Sequence, residues 1–392
     1  MNWVALKMLT GDRAKYFGII MGLTFASLLI TQQLAIFIGL MSRTYGAITD
    51  LAQPDVWVMD PKVQFIDDVK PLQDTVLYRV RGIEGVEWAV PLYKGLLKAR
   101  LDNGNFQTCN VLGLDDATLI GGPPEMVVGK LADLRRADAV IVDENGANGK
   151  LAHVDSDLEG NPKPGAIAVP LKVGDALELN DHRAIVVGIC RSSRTFQSQP
   201  IVYTTYSRAT LFAPKERKLL SFVLVKTDPA LDPNAVAQRI EQTTHLAAYS
   251  RENFKKKTFM YFMKYTGIPI NFGIAVVLGF IVGTAIAGQT FHSFTLENLR
   301  HFGALKAMGA GNWLLLRMIL LQSLLVGIIG YGLGVGAATL FGYFTQKSEL
   351  AFLLPWQLLL FTAGSVVLIC FLSAFVSIRK VIALEPAIVF KS

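Results

Sequence analysis

The chain has 392 residues, with 38 Lys and Arg against 31 Asp and Glu for a net charge of +7, and 52% of its residues are apolar. The charges are unevenly placed: residues 16–42, 265–296, 318–346 and 350–378 contain no Asp, Glu, Lys or Arg. A helix needs about 20 apolar residues to cross roughly 30 Å of hydrocarbon. This excludes a soluble enzyme and, because no uncharged run between Arg43 and Lys264 exceeds 13 residues, a bundle of many membrane helices.

The pattern predicts a membrane protein with four transmembrane α-helices and a large α+β extracytoplasmic domain inserted between helices 1 and 2. In residues 1–15, Trp3, Val4, Leu6 and Leu9 fall near helical spacing with Lys7 and Arg13 between them. They read as a cytoplasmic amphipathic helix on the membrane surface, or as a positively charged flank alone. Transmembrane helix 1 covers 16–42. Its run exceeds the roughly 7–15 apolar residues of a signal peptide and no A-x-A-like site follows, so it reads as a signal anchor. The polar residues Gln32 and Gln33, beside Thr31, are placed to bond a neighbouring helix or to line a groove.

Residues 43–264 form the extracytoplasmic domain. Val56–Met59 is a strand candidate, a helix follows near 71–81, and Ile83–Val86 turns the chain. Strands at 86–101 and 105–113 flank Asp102-Asn103-Gly104-Asn105, a hairpin signal. The Gly-, Asn- and Pro-rich stretch 145–165 reads as a loop. Short strands are expected at 176–180, 183–190, 201–203 and 221–225, a helix from Pro233 to about residue 243, and a last strand at 246–249. The irregular alternation of strands and helices suits α+β better than a doubly wound sheet. Residues 251–264 read as a helix feeding directly into transmembrane helix 2 at 265–290, and the Lys255–Lys257 run reads as a solvated face or a contact for anionic headgroups.

Residues 291–312 form a cytoplasmic loop helix, 313–345 transmembrane helix 3, 355–378 transmembrane helix 4, and 379–392 a cytoplasmic tail. Short loops rich in Lys and Arg stay inside. The first 15 residues, the 291–317 segment and the tail each carry a net +2, whereas the loop between helices 3 and 4 is neutral. Both termini are therefore expected in the cytoplasm and the large domain outside. The basic excess lies at membrane borders rather than on the large domain, which argues against nucleic acid as a partner and for membrane lipids.

No catalytic, cofactor or metal signature stands out. Gly122…Gly129-Lys130-Leu131 has six residues where a P-loop has about four, and Leu131 replaces the Ser/Thr that holds Mg²⁺. The five histidines are scattered, and no carboxylate lies within a span to relay ions. Cys109 and Cys190 fall in apolar strand-like stretches, where buried thiols or a Cys109–Cys190 disulfide are the alternatives. In the spans, Gly279 with Gly283, Gly330 with Gly334 and Gly332 with Gly336 have the small-xxx-small spacing that lets helices approach closely, within one chain or between subunits. In the loop, Leu299, Phe302, Leu305 and Met308 recur every three residues as an apolar stripe, with Glu297, Arg300 and Lys306 off it and Gly309 as a stop. This helix either rests on the membrane face or docks a soluble partner.

The loop sequence E-x-x-R-x-F-G-x-L-K-A-M-G-A resembles the corresponding motif of the MacB/FtsX-type ABC transporter permeases, E-x-x-R-E-I-G-x-x-x-A-x-G-A. The match falls on Glu297, Arg300, Gly303, Ala307, Gly309 and Ala310, with Phe302 and Lys306 between them. Leu384-Glu385-Pro386-Ala387 resembles the family's D-P-A ending. His301, Gln322 and Glu385 depart from the pattern, where the family carries Glu, Glu and Asp. Without a fused ATPase, the layout looks most like the DevC-type and LolC/LolE-type subunits.

The resemblance implies an ABC export permease that is not itself an enzyme, in a bacterial plasma (inner) membrane. Its partners would be a separate cytoplasmic ABC ATPase holding ATP and Mg²⁺, a second permease copy or close homologue, and a periplasmic adaptor (membrane fusion) protein. The 297–310 helix would couple to the ATPase, and its motion would pass to the outer domain. An FtsX-like transmitter that regulates an extracytoplasmic cell-wall hydrolase is the alternative. A membrane-anchored extracytoplasmic enzyme is a weaker one.

Overall fold

The computed structural model describes the chain apart from residues 1, 12, 102, 155–162, 164, 166, 215–218, 346–347 and 383–392. The Leu384–Ala387 ending, the tip residue of the predicted hairpin and much of the predicted 145–165 loop lie outside the described residues. Two compact units emerge, residues 1–40 with 267–392, and residues 41–266. Four helices are long and apolar enough to cross a membrane, and the α/β unit is inserted between the first and the second of them.

Helix α1 (Asn2–Gly11) precedes α2 (Arg13–Arg43), the first span. The buried face of α1 is Ala5 and Leu9, four residues apart, whereas Trp3 and Leu6 are exposed with Lys7 lying over the Trp3 ring. The apolar spacing of Trp3, Leu6 and Leu9 therefore splits between two faces. A three-residue step drifts 60° around a helix, so it does not hold one face for long.

In the inserted unit, α3 (Gly46–Asp50) leads to β1 (Val56–Met59), α4 (Thr75–Arg81), β2 (Val86–Arg100) and β3 (Phe106–Leu114). The helix expected from residue 71 starts at Thr75 because Leu72 instead donates its N–H to Leu220 O as an isolated bridge. A short segment that the sequence left unassigned supplies β4 (Glu125–Val128), a 3-10 turn (Leu131–Arg135) and β5 (Ala139–Asp143). Then come α5 (Glu144–Asn148), β6 (Ala176–Leu179), β7 (His182–Arg191), β8 (Ile201–Thr205), α6 (Tyr206–Phe212), β9 (Phe222–Thr227), α7 (Pro233–Thr244), β10 (Ala247–Ser250) and α8 (Arg251–Tyr265).

The sheet runs β10-β1-β9-β2-β3-β8-β5-β7-β4, with β6 pairing both β2 and β7. Most pairs are antiparallel, but β3/β8 and β5/β7 are parallel. Following β2-β3-β8-β5-β7-β6 back to β2 closes a ring, so the C-terminal half of β2 belongs to a small barrel while its N-terminal half pairs with β9 in an open sheet. Closure removes edge strands and buries an interior of Leu97, Cys109, Val111, Val140, Val186 and Val202. On the open half, alternation sends Val58 and Val225 towards α4 and α7, and Trp57, Phe222 and Leu224 to the opposite face, where Phe254 of α8 covers them.

Asp143 stitches this unit together. Its carboxylate accepts the backbone N–H of Gly146 at 2.9 Å, capping α5, and that of Ile201 at 2.7 Å, at the start of β8. Burial pushes its pKa above the usual carboxylate value, partly offset by those two donors. Asp143→Ala leaves both N–H groups unpaired in the interior, and about 2–4 kcal/mol of lost stability is expected. Chemical denaturation of the full-length protein, followed by near-UV signal from the inserted unit, checks this. Cys109, Cys190 and Cys370 are free and buried. Burial pushes the Cys109 and Cys190 thiols up to about 12.

The chain returns through Thr266, in extended conformation, and Gly267 to α9 (Ile268–Glu297), which has Pro at its first turn. The helix expected to feed directly into the second span is thus interrupted. Pro269 has no N–H to continue the backbone ladder of α8, whereas a proline is accommodated in the first turn of α9. After α9 follow α10 (Leu299–Ala307), α11 (Asn312–Thr345) and α12 (Trp356–Ile382).

Candidate coupling surface

Span α2 packs against both α9 and α11, and glycines set the distances. A Cβ at Gly283 of α9 would lie 2.3 Å from the Ala26 Cβ, and one at Gly279 would lie 3.3 Å from the Leu29 Cβ. On α11, a Cβ at Gly330 would lie 2.6 Å from the Leu23 Cβ, and one at Gly334 would lie 2.6 Å from the Ser27 Cβ. Two of the three predicted glycine pairs therefore meet the same helix from either side. Gly332 and Gly336 turn outward and have open space where a Cβ would stand.

Two further contacts went unread in the sequence. A Cβ at Gly22 would lie 2.6 Å from Ile286, and one at Gly327 would lie 2.6 Å from the Cys370 sulfur. Gly327 has no glycine four residues away, so spacing gave no signal there, whereas Gly18 and Gly22 do form a G-x-x-x-G pair beside the three named above. Thr31 donates to the Thr362 hydroxyl at 3.3 Å. Gln32 and Gln33 are half-buried and make no side-chain hydrogen bond among the described residues.

The loop helix is built on this bundle. Asn298 ends α9, with its side-chain amide donating to Phe294 O at 2.9 Å, and its own carbonyl accepts from Phe302 N at the start of α10. At the other end Gly309 has φ +92°, Ala310 N donates to Leu305 O at 3.0 Å, and Gly309 N donates to Lys306 O at 3.1 Å. This is a Schellman stop. Gly309→Val forces a β-branched side chain into the left-handed region at a cost of about 1–2 kcal/mol, with no neighbour in the way. The last turn of α10 is expected to fray, seen as faster amide exchange over residues 305–310, while Gly309→Asn stays near wild type.

Phe302, Gly303 and Leu305 are buried, packing α10 into the cluster that holds Ala5, Leu9, Phe294 and Leu315. Met308 is 75% exposed, although the three-residue stripe had placed it beside Leu299. Three such steps rotate by 180°, so it emerges on the opposite side. The outward face consists of Arg300, His301, Ala304, Ala307 and Met308, with Lys306 and Ala310 half-buried at its margins. Glu297 forms an ion pair with Lys15, tying the end of α9 to the start of α2. Arg300 makes no ion pair among the described residues. The surface is therefore small, mostly flat in side-chain size, and cationic. The Arg300 guanidinium on it can pair with a carboxylate in two parallel hydrogen bonds.

The N-terminal helix completes the support. Gln322 of α11 is 1% exposed, and its Nε2 donates to Ala5 O at 2.7 Å. A Gln satisfies this carbonyl without placing a buried charge in the span. Among the described residues no three His, Cys, Asp or Glu side chains converge where an ion would sit.

A model described as the FtsX-like permease C-terminal matches residues 256–386, and one described as the MacB-like periplasmic core domain matches residues 17–243. Cell division protein FtsX of Bacillus subtilis (strain 168) is 31% identical over 114 residues, 28% of this chain and 36% of that protein. The chain thus spans just over a third of that relative's length. The extracellular domain of the noncanonic ABC-type transporter YknZ from Gram-positive bacteria shares 13% identity with a TM-score of 0.33, over 50% of this chain and 98% of that one. The periplasmic region of MacB from Actinobacillus actinomycetemcomitans shares 13% with a TM-score of 0.36, over 53% and 94%.

Proposed function

Starting from its membership of the family of MacB-like and FtsX-like permeases, we propose that this chain is the membrane-spanning subunit of an ABC export system, moved by a separate cytoplasmic ATPase. The observation that carries the reading is α10. It is a short helix fixed to the span bundle by Phe302 and Leu305 and presenting Arg300, Ala304 and Ala307 outward. A soluble motor needs such a handle, rigid on one side and free on the other.

In this reading ATP and its Mg²⁺ belong to the partner chain. Closure of two ATPase subunits displaces α10, and the displacement passes to α9 and α11. Tight glycine contacts then make α2, α9 and α11 move as a block, because close-packed helices resist continuous deformation. A second copy or close homologue completes the pair of ATPase sites, and a periplasmic adaptor takes the motion from the outer unit. The basic borders of the spans support a topology with both termini on the cytoplasmic side of a bacterial inner membrane. Similarity to a cell division protein favours a second reading, a non-transporting transmitter acting on an extracytoplasmic cell-wall hydrolase.

Affinity purification of the tagged chain from its native membranes, followed by mass spectrometry, tests these readings. Recovery of an ABC ATPase with an adaptor supports export, and an ATPase with a hydrolase supports the second reading. Recovery of neither removes both.

A further inference from the structure

The inserted unit contains a cavity of about 680 Å³, within the roughly 300–1,000 Å³ of ordinary ligand sites. Its floor is the outward face of β2 and β3, where Lys94, Leu96 and Asn110 stand side by side, Leu96 and Asn110 being cross-strand partners. Its walls are aromatic: Phe65, Phe196 and Phe262, with Phe196 and Phe262 4.9 Å apart and Phe65 against Phe262 at 5.4 Å. Lys94 is buried and paired with Asp67 at the mouth, so it brings no unbalanced charge.

Two polar features of the floor call for a partner. Asn110 is 3% exposed, and its side-chain oxygen is buried with no hydrogen bond. Rotation about its terminal bond turns either the oxygen or the NH₂ to the cavity. The second feature is a gap in strand pairing. β2 pairs with β9 as far as Leu92 and with β6 from Ala99, leaving the edge between them without a strand. Lys94 turns its backbone N–H and C=O to this edge, where both bond the Ser221 hydroxyl, and Lys98 turns its C=O there to accept from Asn180 N. Leu96 has the same parity, so alternation points its N–H and C=O to the same edge. No strand or side chain meets them among the described residues, and Leu96 is 46% exposed.

We propose that this cavity binds an extended apolar peptide segment, one residue of which exchanges two backbone hydrogen bonds with Leu96 while its neighbouring side chain enters the Phe65–Phe196–Phe262 pocket. A peptide unit carries one donor and one acceptor, matching both Leu96 and the Asn110 amide. An acyl chain fills the aromatic walls equally well but leaves all three polar groups unpaired. The site stands on the inserted unit alone, so its failure leaves the coupling reading untouched.

The test uses the full-length protein in lipid nanodiscs. The probes are fluorescein-labelled, amidated hexapeptides with Leu, Val, Phe or Tyr alternating with Thr, Asn or Gln, and separately decanoic acid. Saturable anisotropy binding by at least one peptide is expected. Leu96→Pro deletes the edge donor without touching the ladder to β3, and about a tenfold loss of affinity is expected. Leu96→Val should bind as wild type. Asn110→Leu, with the same heavy-atom branching but without the amide, should also weaken binding about tenfold. Should Leu96→Pro unfold, this variant decides. Equal binding to Asn110→Leu and to folded Leu96→Pro overturns the proposal. So does uptake of decanoic acid with no peptide binding.

Discussion

Gly283→Leu should dismantle the membrane unit. Even the first added carbon would sit 2.3 Å from the Ala26 Cβ, far inside van der Waals contact, and both atoms are fixed by helix backbone rather than by a rotatable side chain. The helices must separate, and overpacking of this kind costs about 1–3 kcal/mol or more. A fall of about 3–10 °C in the midpoint of thermal unfolding is expected for the detergent-solubilised protein. Gly334→Leu meets both Ser27 and the Thr24 carbonyl and should behave alike. Gly332→Leu and Gly336→Leu, on the open side of α11, should leave the midpoint within about 1 °C, the scale of surface substitutions. The size swap Gly283→Ala with Ala26→Gly returns the lost space and should recover most of the stability. If all four leucine variants unfold alike, Gly283 and Gly334 do not set the contacts with span one.

The second large effect is on coupling. Arg300→Glu combined with Ala304→Trp reverses the charge and blocks the flat centre of the outward face of α10. Both positions are exposed, so the midpoint of unfolding should not move. With the partner ATPase co-reconstituted, stimulation of hydrolysis by this subunit should fall at least about tenfold, the scale of losing a charge-assisted contact at an interface centre. Gly303→Trp provides the contrast. Gly303 is buried against the bundle, so its replacement should lower the unfolding midpoint as well as coupling. Unchanged stimulation in the double variant removes α10 from the docking role.

The spans were legible because hydrocarbon tolerates so few charges that 16–42, 265–296, 318–346 and 350–378 announce themselves. Individual strands such as Val56–Met59 and Phe222–Thr227 were legible through their β-branched runs. The barrel was not. Its closure depends on β2 leaving β9 near Leu92 and joining β6 at Ala99, a choice made by residues more than 75 positions away. β5 escaped notice because Ala139–Asp143 is only five residues long and wholly buried, giving no alternation to read. The break between α8 and α9 had a local signal in Gly267 and Pro269, outweighed by the apolar run around it. In α10 the motif located the candidate surface, but only packing distinguished its two sides. The apolar stripe that looked ready to dock a partner is largely consumed inside the molecule at Phe302 and Leu305. The small and charged residues between are what remains outside.

In the proposed function, ATP turnover on one side of the membrane moves the outer unit on the other. Lys172→Cys on an exposed turn of that unit can be spin-labelled selectively, since the native thiols are all buried. Pulsed electron resonance on the complex in nanodiscs then measures the separation between the labels of the two copies. One distance distribution is expected without nucleotide, another with ATP trapped in the partner, and no difference when Arg300→Glu and Ala304→Trp are present. A single distribution throughout, while the ATPase turns over at full rate, would contradict the proposed function.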